Sequence, residues 1–141
     1  LISRIGETMK MEHITALINR RVPFVAGGRD PERGLDCWGL VVHVLGYRGR
    51  TVREDWAPGS VSEVACLIKD QIECDDWMLA DPAPWLVVAM GTKNRIYHVG
   101  VSVPGGYILH TTPTTGIVMS RRMMLDDQFG RIEFYRHSSW D

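Results

Sequence analysis

Three cysteines and five histidines are the residues of this 141-residue chain best suited to nucleophilic or metal chemistry. The sharpest local pattern around any of them is Gly34-Leu35-Asp36-Cys37-Trp38-Gly39-Leu40-Val41. Asp36 is a good helix N-cap, because its carboxylate can accept from the free amides of a first turn. Cys37 is then the first helical residue, where the positive end of the helix dipole favours a thiolate and is expected to lower the thiol pKa. Taken by itself, the plainer reading of Cys37 is a small buried residue that packs. Cys66 and Cys74 read as incidental, since no CxxC occurs and an odd count leaves at least one thiol free.

A catalytic thiol needs a base. His13 and His137 lie near the chain ends and are expected to be solvated, while His43 falls on a different helix face from Cys37. His98 and His110 remain, on consecutive strands separated by Pro104-Gly105-Gly106. A three-residue loop there pairs Val103 with Tyr107, which sets His110 opposite Gly100 and His98 opposite Thr112. The two imidazoles then become diagonal neighbours on one face, roughly 7 Å apart at the backbone and within reach of each other. A two-residue loop would put them on opposite faces. Cysteine, histidine and a second histidine make a nucleophile, a base and an orienting group for acyl transfer. The same three residues are also a legitimate zinc set, though no HxxxH or CxxC spacing supports it.

The elements that must position these groups divide the chain in two. Met11, Ile14, Leu17 and Ile18 recur at helical spacing before Pro23, and Cys37, Leu40, Val41, Val44 and Leu45 form a second stripe, ended by Gly46 and Gly49. Ser60-Val61-Ser62-Glu63 is a capping box ahead of Val64, Ala65, Ile68 and Ile72, a third helix. After Trp85 the period changes to two: 85–90, 97–103, 107–111, 117–120 and 131–136 read as strands with turns between. Helices first and an antiparallel meander afterwards is an α+β pattern in a single domain over 1–141, with 1–10 a loosely ordered segment.

Composition narrows the classes. The net charge is −1 and the apolar share 45%, which disfavours a dedicated nucleic-acid binder. Charge is uneven: residues 1–53 hold nine Lys/Arg against five Asp/Glu, and residues 54–94 two against eight. The basic third reads as a solvated face before it reads as an anion-binding rim. No apolar run is long enough to cross a bilayer, and Leu1 to His13 carry no stretch like a secretion signal. The tryptophans, Trp38, Trp56, Trp77 and Trp85 among them, are expected in the core rather than on a sugar or partner.

Val22-Pro23-Phe24-Val25-Ala26-Gly27-Gly28, then Asp36-Cys37-Trp38-Gly39-Leu40-Val41, His98-Val99-Gly100-Val101 and Ile108-Leu109-His110 follow one another in an order that resembles the NlpC/P60 cysteine peptidases of bacterial cell walls. The resemblance spans Val22 to His110. It implies a papain-like α+β fold, N-terminal helices packed on an antiparallel sheet, with Cys37 as nucleophile, His98 as general base and His110 as orienting residue. Phe24, Asp36 and Trp38 fall at positions bordering substrate and oxyanion. Phe24 stands where many members carry Tyr, Trp38 where Ser is common, and the usual Gly-Asp before the first strand is not evident at Ala83-Pro84-Trp85. The implied substrate is the peptide stem of peptidoglycan, and no metal or cofactor is implied. The bare domain looks like versions carried at phage tail tips, with other tail proteins as partners and the cell envelope as the place of action. Two alternatives stand beside this expectation: a related thiol amidase or acyltransferase, and a degenerate domain serving as a structural tail component.

Overall fold

A computed structural model describes residues 2–52 and 77–140, with side chains described from residue 11 onward. Helix α1 spans Ile2–Asn19 and so takes in most of the segment set apart at 1–10 in the sequence reading. Its expected stripe turns inward: Ile14 and Leu17 are buried, and Met11 and Ile18 pack beside them. The chain leaves α1 through Arg21, which takes a left-handed φ of 53°, and Pro23 prevents any return to helix. A two-stranded hairpin follows, β1 (Arg29–Asp30) and β2 (Gly34–Leu35).

Helix α2 covers Cys37–Tyr47. Cys37, Leu40, Val41, Val44 and Leu45 are all buried, as their spacing predicts, and Trp38 is buried with them. Each such side chain contributes at most about 1.5–3 kcal/mol by leaving water. The helix passes through Gly46 and ends at Tyr47, within the Gly46–Gly49 stretch expected to close it. Gly49 (φ 91°) donates to Gly46 O, and Arg50 N–H reaches Leu45 O. That pair of bonds closes the last carbonyls in a Schellman motif.

The second half is a six-stranded antiparallel sheet. Its strands are β3 (Trp77–Ala80), β4 (Val87–Thr92), β5 (Arg95–Val103), β6 (Tyr107–Thr112), β7 (Gly116–Arg121) and β8 (Arg131–His137). They lie in the order β3-β8-β4-β5-β6-β7. Strands β4 to β7 are the expected meander. Strand β8 returns to the other side of β4 instead of extending it, and β3 covers β8. A short helix, α3 (Arg122–Gln128), precedes β8. It escapes sequence reading because Arg121 provides no side-chain cap and only Leu125 is buried. The helix expected at 60–72, with Trp56, Cys66 and Cys74, lies outside the described residues.

The β5–β6 turn decides the site. Val103 pairs with Tyr107, Ser102 with Ile108 and Val101 with Leu109, the register of a three-residue loop. Gly106 supplies the left-handed φ of 79° that this loop requires. Helix α2 lies against β5 and β6, the two strands that carry His98 and His110. Among the described residues, no helix is long and apolar enough to cross a membrane.

Candidate active site

The turn that carries Cys37 is held by Asp36. Its Oδ1 accepts from the Gly39 amide at 2.7 Å and from Arg29 Nη1 at 2.7 Å, and its Oδ2 accepts from the Gly27 amide at 2.9 Å. The carboxylate, placed by the sequence beside substrate and oxyanion, is thus occupied within the protein and fixes the loop 27–29 to the helix start. Arg29 was not singled out for this role, and nothing in the local sequence marks it. Close backbone contact seals the arrangement. A Cβ on Gly39 would stand 2.0 Å from Gly28 O, so only glycine fits.

Cys37 is a free thiol and is buried. The backbone amides of Cys37, Trp38 and Val99 all donate toward its sulfur. Val99 follows His98 on β5, so the sulfur lies against the strand that carries His98. The expectation of a lowered pKa is overturned. Burial, reinforced by the Asp36 carboxylate, pushes the thiol up to about 12 and outweighs the three amides. A thiolate loses hydration on burial, and a helix N-terminus returns only part of it.

His98 and His110 stand as the register argument requires. His98 Nε2 lies 3.0 Å from His110 Nδ1, with the rings edge to face. Gly100 makes this possible: a Cβ there would fall 2.7 Å from Leu109 O and 3.1 Å from His110 Cβ. Burial, then the neighbouring His110, lowers the His98 pKa to about 3. Burial lowers His110 as well. Phe129, just past α3, stacks on the His98 ring at 5.8 Å and 14°, closing off one face of the imidazole. His110 Nε2 in turn lies 3.0 Å from Ser120 Oγ on β7. Sequence reading missed Phe129 and Ser120. Ser120 was legible in principle: carrying the register argument across the next turn sets Val118 opposite His110 and Ser120 on its diagonal, as the structure has it.

Of the other candidates, Phe24 is half-buried and bridges to Leu35 just before the Cys37 turn. Trp38 is 3% exposed with its indole in the core, and its amide donates toward the Cys37 sulfur. Trp85 is buried as expected. His13 and His137 are not simply solvated. His13 Nε2 meets His43 Nε2 at 3.0 Å and stacks on Tyr47, tying α1 to α2, and His137 bonds Ser139 and meets the Trp77 edge. Cys37, His98 and His110 do not form a group that could hold a metal ion, nor does any other His/Cys/Asp/Glu set among the described residues.

Comparison with known proteins agrees with this architecture. The family model described as the NlpC/P60 family matches residues 21–130. Among solved structures, the fold is similar to that of the NlpC/p60 domain of peptidoglycan hydrolase SagA, with a TM-score of 0.53 and 23% identity over 86% of this chain and 93% of that one. No match was found among curated proteins.

Proposed function

The chain belongs to the NlpC/P60 family, and from that membership and the arrangement of its thiol and imidazoles we propose that it is a thiol hydrolase cleaving the peptide stems of bacterial peptidoglycan. Cys37 is the nucleophile, His98 the general base and acid, and His110 its orienting partner. The observation that carries this reading is the His98–His110 contact at 3.0 Å, reaching from the strand whose Val99 amide donates to the Cys37 sulfur.

The chemistry follows from which atoms are engaged. His98 Nε2 is bonded to His110, so Nδ1 is the nitrogen left to take the thiol proton. Burial holds the thiol and imidazole neutral at rest. Proton transfer therefore accompanies attack rather than preceding it. The Cys37 sulfur bonds to the scissile carbonyl carbon as its proton passes to His98, and amides at the start of α2 receive the oxyanion. The C–N bond then breaks, His98 protonates the leaving amine, and a thioester remains. Water attacks that thioester while His98 takes its proton; the C–S bond then breaks, His98 returns the proton to the sulfur, and the acid product leaves, losing its own proton to solvent as the carboxylate.

Digestion of purified peptidoglycan, with the products read by mass spectrometry, tests this. The expected result is stem peptides cut to a new amine and a new carboxylate, with Cys37→Ala and His98→Ala each slower by a factor of about 1,000 or more. Identical traces from wild type and Cys37→Ala would favour a different reading. A thiol raised to about 12 is also what a merely packed cysteine in a structural domain would show. Transfer of the acyl group to an added amine in place of water would instead mark an acyltransferase.

A further inference from the structure

The contacts beyond His98 form a line. Carrying the Val101–Leu109 register back along β5 sets Thr112 opposite His98, and Val118 pairs with His110; His110 and then Ser120 are each displaced by two residues from those positions, so the line of side chains crosses three strands at a constant slant. Both links are 3.0 Å long. We propose that Ser120 is a positioning residue that ends this line as an acceptor, taking the hydrogen bond of His110 Nε2. The proposal rests on the hydrolase reading above and deepens it.

Each link admits only one hydrogen, so the polarity of one bond dictates the next. For His98 to accept a proton at Nδ1, its own proton must sit on Nε2 and be donated to His110 Nδ1. His110 Nδ1 must then be bare, and the His110 proton must sit on Nε2, donated to Ser120 Oγ. A serine hydroxyl can accept that bond and turn its own hydrogen outward, and Ser120 is only half-buried. The opposite polarity is ruinous. A proton on His110 Nδ1 would be donated to His98 Nε2, move the His98 proton to Nδ1, and present an N–H to the thiol. A hydroxyl could also donate to a bare His110 Nε2; it is the thiol's need for a bare His98 Nδ1 that fixes Ser120 as the acceptor.

Nitrogen-15 imidazole spectra of the full chain, free of substrate, test the assignment. In the wild type, His110 is expected protonated at Nε2 and bare at Nδ1. Ser120→Asp, an acceptor only, keeps that tautomer and moves the acid limb of the pH–rate profile for stem-peptide cleavage upward. Ser120→Ala mixes the tautomers and lowers kcat about five-fold, the scale of one lost hydrogen bond, with KM unchanged. A wild-type His110 carrying its proton on Nδ1, or a Ser120→Ala chain with an unaltered spectrum, would overturn the proposal. Cleavage by Cys37→Ala would instead sink the hydrolase reading and leave the tautomer assignment standing.

Discussion

A cysteine at a helix start feels two opposed effects, and here their balance is visible. Three amides point at the Cys37 sulfur, yet burial and Asp36 push the thiol up to about 12 from an ordinary 9.0. Alkylation by iodoacetamide at pH 7 should therefore run roughly two to three orders of magnitude slower than for an unfolded reference thiol, because only the thiolate reacts. A rate like that of a free thiol would mean the sulfur is better solvated or better paired than this geometry allows. For His98, the packed Phe129 ring is part of what excludes water. Phe129→Ala should raise the imidazole from about 3 toward its ordinary 6.5, measurable by NMR titration. A His98 resonance that titrates unchanged would assign its burial to the sheet alone.

At the scale of elements, helix α2 is fixed at both ends by backbone geometry. Its two interior glycines have opposite meanings. A Cβ at Gly39 would collide with the Gly28 carbonyl, whereas nothing lies within 4 Å of one at Gly46. Gly39→Ala should thus lower stability by about 2 kcal/mol or more by prising the loop from the helix start. Gly46→Ala should raise it by about 0.5–1 kcal/mol through the unfolded chain. Denaturant melts of the two variants should move in opposite directions. The Asp36–Arg29 pair is the other clamp, with 5% and 18% of its side chains exposed. Asp36→Asn should cost about 3 kcal/mol, since it removes the carboxylate charge from a largely buried ion pair. A melt displaced by only a few tenths would show that Asp36 serves as a helix cap and little more.

The whole molecule carries its site as a pH dependence. His98, His110 and His43 are all lowered from 6.5, in each case mainly by burial. A depressed histidine is neutral in the fold and protonated more readily when unfolded. The stability tied to it is complete above about 6.5 and is lost as pH falls toward the folded value, by up to about 1.4 kcal/mol per pH unit for each. The raised thiol acts at the other end. Its contribution is complete below 9.0 and is lost as pH rises toward 12. Thermal melts should show a plateau between roughly pH 6.5 and 9, flanked by declines, with His98→Gln shallower on the acid side and Cys37→Ala on the alkaline side. A melting temperature unchanged from pH 7 to 4 would contradict the burial of these imidazoles.

Much of this was legible in the residues. The α2 stripe, the Asp36 cap, the Pro104–Gly106 turn and the resulting placement of His98 beside His110 all follow from local spacing, because strand alternation and loop length fix a register before any tertiary contact forms. The same arithmetic carried one strand further reaches Ser120. What local spacing could not supply depends on segments distant in the chain. The return of β8 to β4, the seating of Phe129 over His98 and the capture of Asp36 by Arg29 are decided by packing. So is the Cys37 thiol: the helix dipole is a property of its own turn, but the loss of water that overrides it exists only once the sheet closes over the sulfur.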